Sequence, residues 1–216
     1  MKEYHKIQTC FKRDEKTKKI IFNDWTLPEF EYLKDNQWVF TEKVDGTNIR
    51  VMWNGESVVF GGKTDNASIP VPLLYELQKM FEGTAKKQLF KETFLSDKDG
   101  EEMTEVCLYG EGYGAKIQKG GGNYSAVPKF VLFDVKIGDW YLQREDVEDI
   151  AQKLGIDIVP IVGQGTLMEA IELVRKGQKS QWGDFIAEGL VVRPAVELKT
   201  RRGGRLITKI KHKDFF

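Results

Sequence analysis

Thr47 to Trp53 and Ser57 to Gly61 are two runs rich in β-branched and aromatic residues, with Asn54-Gly55 between them. No other segment constrains the chain as strongly. An Asn-Gly step tolerates the positive φ that a tight two-residue hairpin requires, so the pair is predicted to be antiparallel. Gln37 to Lys43 reads as a strand just before it. Glu105 to Gly112 and Lys129 to Ile137 have the same character, and Ala187 to Arg193 and Arg205 to Lys211 close the chain as strands around a Gly203-Gly204 turn. Helical spacing appears in four places. Val71 to Phe81 has Leu74, Leu77 and Phe81 on one face, and Thr84 to Leu95 is a weaker match. Gln143 to Leu154 has Val147, Ile150, Ala151 and Leu154 at i, i+3, i+4 and i+7. Thr166 with Glu169 makes a capping-box start for a helix stopping near Gly177. Asp97 to Glu102 reads as a charged loop. Strands outnumber helices without regular alternation, which predicts an α+β fold of antiparallel sheets flanked by helices. With no repeat and no linker, a single domain over 1–216 is expected.

The chain of 216 residues is long enough to bury a core without disulfide or metal staples. Two distant cysteines, Cys10 and Cys107, and two histidines leave no zinc pattern and fit a reducing cytosol. The first nineteen residues have no apolar stretch of the kind a secretory signal needs, and no apolar run reaches the roughly 20 residues of a membrane helix. A cytoplasmic setting, phage-encoded genes included, a monomer and no membrane partner are therefore expected. Lys plus Arg and Asp plus Glu each number 33, which excludes a uniformly basic nucleic-acid coat. The balance hides segregation. Residues 197–216 hold seven Lys/Arg against Glu197 and Asp214, and residues 1–19 hold seven against three acids. Residues 92–111 hold seven acids against Lys98 alone. Lys116, Lys119 and Lys129 lie in a stretch without acids. Basic ends around an acidic middle suit a protein that meets polyanions on one face, with binding that weakens as salt rises.

Chemistry concentrates at Glu42-Lys43-Val44-Asp45-Gly46-Thr47-Asn48, where a lysine ends a strand and an Asp-Gly turn follows. The turn holds an ammonium at a pocket mouth, and its glycine permits close backbone approach. Downstream lie Gly110-Glu111-Gly112, Phe133-Asp134, Glu188-Gly189 and Lys209-Ile210-Lys211. A lysine must lose its proton to act as a nucleophile, and burial or nearby cations favour that loss. Lys209 and Lys211, one residue apart on a strand, share a face and can supply cations to Lys43 or to phosphates. Gly120-Gly121-Gly122 is not followed by the helix start of a P-loop.

This ordered set resembles the covalent nucleotidyltransferases, the superfamily of polynucleotide ligases and capping enzymes, and is most similar to ATP-dependent RNA ligases of the RNA ligase 2 type. K-V-D-G-T-N looks like their nucleophile motif, and the resemblance runs from about Trp38 to Phe216. It implies a nucleotidyltransferase (ATP-grasp-like ligase adenylation) domain, with ATP as AMP donor, Mg2+ or Mn2+, and RNA ends or a nicked duplex as partner. It further implies that Lys43 becomes lysyl-AMP. Glu42, Asp45 and Asn48 would lie at the nucleotide, Glu111 at the ribose and Phe133 on the adenine face. Glu188 would bind the metal or orient the lysine, and Lys209 and Lys211 would bind phosphates. Lys63 stands where the family commonly has an arginine, keeping the charge without the bidentate fork. The chain stops five residues after Lys211, where family members usually carry a further domain. A DNA ligase or a GTP-using capping-type enzyme shares K-x-D-G, and a non-catalytic nucleotide- or RNA-binding module could share the fold.

Overall fold

The structure, a computed structural model, describes residues 3–94 and 105–216. The loop expected at 97–102, four of the seven acids in 92–111 and the helix end expected at Leu95 lie outside the described residues. The elements in chain order are β1 (Gln8–Thr9), β2 (Phe11–Arg13), β3 (Ile20–Trp25), α1 (Pro28–Tyr32), β4 (Trp38–Glu42), β5 (Thr47–Trp53), β6 (Val58–Gly61), α2 (Val71–Phe81) and α3 (Thr84–Phe94). There follow β7 (Val106–Tyr113), β8 (Lys129–Ile137), β9 (Trp140–Tyr141), α4 (Arg144–Leu154), β10 (Asp157–Ile158), β11 (Ile161–Gly165), α5 (Leu167–Arg175), β12 (Gly189–Pro194) and β13 (Thr208–Lys211). The α+β class is as expected. Two compact units result: one takes Asp45–Ile158 with the first residues of the chain, the other His5–Val44 with Val159–Phe216. No described helix is long and apolar enough to cross a membrane.

In the first unit the sheet runs β10-β8-β7-β5-β6, with β9 on β8. Alternation places Ile49, Val51, Trp53, Leu108, Leu132 and Val135 on one face, where they pack against Leu73, Leu77, Phe81, Phe90, Val147 and Leu154 of the helices. The inward residues of α4 are the four that the spacing predicts, and Gly155 ends the helix at φ +65. On α2 the buried position is Leu73, not Leu74. A Cβ on Gly112 would sit 2.3 Å from Leu73 Cδ2, so the bare glycine makes the notch that Leu73 fills. The β5–β6 hairpin forms, but Trp53 pairs with Val58, leaving four connecting residues rather than two. Asn54 Oδ1 accepts the N–H groups of Glu56 and Ser57, and this side-chain turn replaces the tight backbone one.

In the second unit the order is β1-β13-β12-β4-β11. Trp38, Phe40, Leu190, Val192 and Ile210 face Leu167, Ile171, Val174, Phe11 and Phe30. The capping box forms as expected: Thr166 Oγ1 accepts the Glu169 N–H at 3.1 Å, and Glu169 Oε2 accepts the Thr166 N–H at 2.7 Å. Antiparallel pairing dominates both sheets, with two parallel exceptions, β1 on β13 and β10 on β8. Neither β1 nor β10, nor the β2–β3 ribbon and β11, is expected from the sequence; strands of two or three residues such as β1, β2 and β10 show too little alternation to be seen.

Candidate active site

Residues singled out in sequence fall in both units. Glu42, Lys43, Glu188, Lys209 and Lys211 belong to the second, and Asp45, Asn48, Lys63, Glu111 and Phe133 to the first.

Lys43 lies just past β4, where its N–H still donates to the Gly189 carbonyl at 2.9 Å. Since Trp38 and Phe40 point into the core, alternation turns Thr41 and Lys43 to the opposite face. On β13 the buried Ile210 separates Lys209 and Lys211, which share that opposite face as expected. Glu188 closes the arrangement. Its Oε2 is 2.5 Å from Lys43 Nζ and its Oε1 is 2.7 Å from Lys211 Nζ. The next residue, Gly189, has φ +154, and a Cβ there would fall 1.9 Å from the Ile210 carbonyl. Only glycine lets the strand pass so close and present Glu188 beside Lys211. Burial pushes the Glu188 carboxyl up, but the charges of Lys43 and Lys211 and their hydrogen bonds outweigh it and hold the group below the usual range. Glu188 is thus an anion shared between two cations. Lys209 is level with Thr9 of β1.

Glu42 departs from expectation. Its side chain alternates away from Lys43 and is buried at 1% exposure, accepting from the Ser180 hydroxyl at 2.5 Å and the Gln181 N–H at 2.7 Å. Burial raises its pKa, partly offset by those two bonds. The carboxyl expected near adenine therefore holds the 180–182 segment, and only the Glu42 backbone remains for a nucleotide.

In the first unit, the Asp45 N–H donates to the Tyr124 hydroxyl at 3.3 Å, and Gln118 Nε2 donates to the Gly46 carbonyl at 3.1 Å. The glycine-rich 114–125 segment, no phosphate loop, is thus a brace for the turn after Lys43. A Cβ on Gly46 would meet the Gly112 carbonyl at 2.3 Å, which explains the glycine of K-V-D-G physically. Asn48 is paired across the ladder with Glu111. Both lie on the face away from the helices, with Arg50, Tyr109, Asp134 and Lys136. Asn48 Oδ1 is buried without a hydrogen-bond partner among the described residues, an acceptor open to a donor from water or a ligand. Phe133 is the extra residue of a bulge, since Tyr109 pairs with Asp134 and Gly110 with Leu132. A bulge re-aims a side chain. The half-buried ring meets Tyr4 edge-on at 5.0 Å, and the Tyr4 hydroxyl donates to Asp134 Oδ2 at 2.8 Å.

Lys63 is exposed. The guanidinium nearby belongs to Arg50, 1% exposed, which donates to the Gly62 carbonyl at 2.9 Å and to Asp65 at 2.7 Å. Sequence reading passed over Arg50, although a charge in mid-strand signals a polar sheet face. Tyr4 and Tyr124 gave no such signal, because their partners are distant in the chain.

The residues fit a nucleotide better than a protein-built metal site. In the first unit an orphaned buried acceptor and an aromatic re-aimed by a bulge suit a ribose and a base, and in the second unit two cations around one carboxylate suit phosphates. Both Glu188 oxygens, by contrast, already carry ammonium groups, and no cluster of three His, Cys, Asp or Glu among the described residues could hold a metal ion.

A family model described as RNA ligase matches residues 36–211. Comparison with curated protein sequences finds no match. Among solved structures, a lysine-to-methionine variant of Naegleria gruberi RNA ligase with AMP and Mn is similar at 17% identity and a TM-score of 0.63, over 85% of this chain and 52% of that one. The same organism's RNA ligase with PPi gives 18%, 0.62, 94% and 55%. A lysine-to-alanine variant with ATP and Mn gives 17%, 0.63, 97% and 62%. The likeness is one of fold, and this chain spans 52–62% of the chain length in these three structures of one relative.

Proposed function

This chain belongs to the RNA ligase family, and we propose that it is an ATP-dependent RNA ligase, or the nucleotidyltransferase domain of one, that works through a covalent lysyl-AMP. The observation that carries the reading is the Lys43–Glu188–Lys211 arrangement, a candidate nucleophile held at 2.5 Å by a carboxylate that a second lysine shares. In the proposed first step Lys43 Nζ, having lost a proton, attacks the α-phosphorus of ATP. A P–N bond forms and the P–O bond to pyrophosphate breaks. AMP then passes to the 5′-phosphate of an RNA end, and attack by a 3′-hydroxyl joins the ends and releases AMP. Glu188 orients the Lys43 amine. Lys211 shares the same carboxylate. Phosphoryl transfer depends mostly on such positioning and on charge neutralisation. Mg2+ or Mn2+ is proposed as cofactor, accompanying ATP, with ligands from phosphate oxygens and water. The aromatic face of Phe133 suits a base, and Asn48 and Glu111 suit the ribose and its neighbourhood.

Intact mass after incubation with ATP and magnesium tests this reading. One added AMP per chain, with none from GTP, is the expected result. An unmodified chain would favour a binding module, and a GMP adduct would favour the capping type.

Asn48→Ala tests the nucleotide half separately. The buried Oδ1 has no internal partner to lose, so the melting temperature should hold or rise slightly. The KM for ATP in adduct formation should rise roughly 10-fold, as for loss of a hydrogen bond worth about 1–1.5 kcal/mol. Unchanged KM with lowered stability would make Asn48 purely structural.

A further inference from the structure

The unit that carries Lys43 also has a surface basin of about 430 Å³ lined by lysines from both ends of the chain: Lys6 and Lys18 from the first twenty residues, and Lys209, Lys211 and Lys213 from the last ten. Parallel pairing of β1 on β13, Thr9 beside Lys209, brings the two ends together. The β2–β3 turn supplies Lys18 and is rigidly built. Asp14 Oδ1 accepts from the Lys16 N–H, the Thr17 N–H and the Thr17 hydroxyl, at 3.0, 2.7 and 2.9 Å. Lys18 itself sits at φ +59, a left-handed conformation unfavourable for a residue with a Cβ. Arg13 locks that conformation by donating to the Lys18 carbonyl at 2.8 Å, and its other amine pairs with Asp214.

The charge of this basin is unbalanced. Asp214 is its one acidic lining residue among those described, and Arg13 occupies it. Glu188, beside Lys211, is taken by two lysines. Lys6, Lys18 and Lys213 have no carboxylate partner among the described residues. Such a surface attracts anions. A compact anion such as pyrophosphate is gripped by guanidinium forks or by convergent backbone N–H groups. Here the one guanidinium is committed twice over, and the other donors are point charges on long stems, spread from the N-terminal segment to the C-terminal one. Spaced lysines beside a strand suit a chain of phosphates.

We propose that this basin is a track for the sugar–phosphate backbone of single-stranded RNA, with Lys6, Lys18 and Lys213 each facing a phosphate and leading the strand to Lys211 and Lys43. The inference rests on the RNA ligase reading, and deepens it by assigning strand capture to an N-terminal segment outside the family match at 36–211.

The test is Lys6→Gln/Lys18→Gln/Lys213→Gln in the full 216-residue chain. Its binding to a labelled 12-nucleotide RNA without a 5′-phosphate is measured without ATP, between 50 and 200 mM salt. Loss of three phosphate contacts should weaken binding roughly 10- to 100-fold near 0.1 M salt and make the log–log salt slope shallower by about 2. Each single variant should reduce the slope by about 0.7, so the result does not depend on the triple variant folding. Lys79→Gln/Lys87→Gln/Lys153→Gln, on helices of the other unit, should leave the slope as it is. A parent-like slope in the triple variant overturns the proposal. So does intact RNA binding with impaired pyrophosphate-driven removal of AMP, which would give the basin to the tail of ATP. A chain that binds RNA in this way but forms no AMP adduct would refute the ligase chemistry alone.

Discussion

Lys43→Ala should abolish the covalent AMP adduct completely, while Lys153→Ala, on the exposed face of α4, should retain it. Among the described residues no other lysine has the position of Lys43, past the end of β4, paired with Glu188 and followed by a turn that Gln118 and Tyr124 hydrogen-bond. Lys43→Arg separates chemistry from charge. A guanidinium can keep the ion pair with Glu188, but it stays protonated and cannot attack phosphorus. That variant should match the parent in melting temperature and still form no adduct. Peptide mass spectrometry supplies the stringent check, because Lys211 is bonded to the same carboxylate. An adduct mapped to Lys211, or any adduct persisting in Lys43→Ala, would refute the assignment.

Glu188→Ala should remove most of the adduct formation, roughly 100-fold in rate, the scale set by misplacing a reacting group by about 1 Å. The fold should be nearly unaffected. Lys43 and Lys211 are each 21% exposed at the side chain, so both ammonium groups can turn to water once the carboxylate is gone. A loss of about 1 kcal/mol or less, 2–4 °C for a chain of this size, is expected. Glu188→Gln keeps the shape and removes the charge, and should fail in adenylation almost as badly. The same carboxyl leaves a trace in the acid limb of stability. Its folded pKa lies below the usual value, so its contribution is full above the unfolded pKa and is lost as pH falls through the folded one. Glu188→Gln should flatten that part of the limb. Normal adenylation by either variant would remove Glu188 from the mechanism.

Residues close in sequence announced themselves most clearly. The four inward positions of α4, the Thr166–Glu169 capping box and the span of β5 follow from local spacing and local hydrogen bonds, which the chain carries wherever it folds. Lys43, Glu188 and Lys211 were also legible, because each sits at a strand end whose glycine or alternating neighbour fixes its direction.

Contacts between distant residues decided the rest. The resemblance puts Glu42 at the nucleotide together with Lys43, yet a strand sends adjacent side chains to opposite faces, and Glu42 meets Ser180 and Gln181 on the buried one. Leu73 rather than Leu74 turns inward because a glycine on another strand leaves it room. The bulge that frees Phe133 depends on register against β7, which no pattern within β8 encodes. The sequence marks both chain ends as basic and suited to a polyanion, but only the pairing of β1 with β13 puts the N-terminal segment beside the last lysines of the chain. Periodicity and turn chemistry are properties of a segment. Which face a polar group finds its partner on, and which distant strand supplies the notch or the register, is settled only when segments far apart in the chain are packed together.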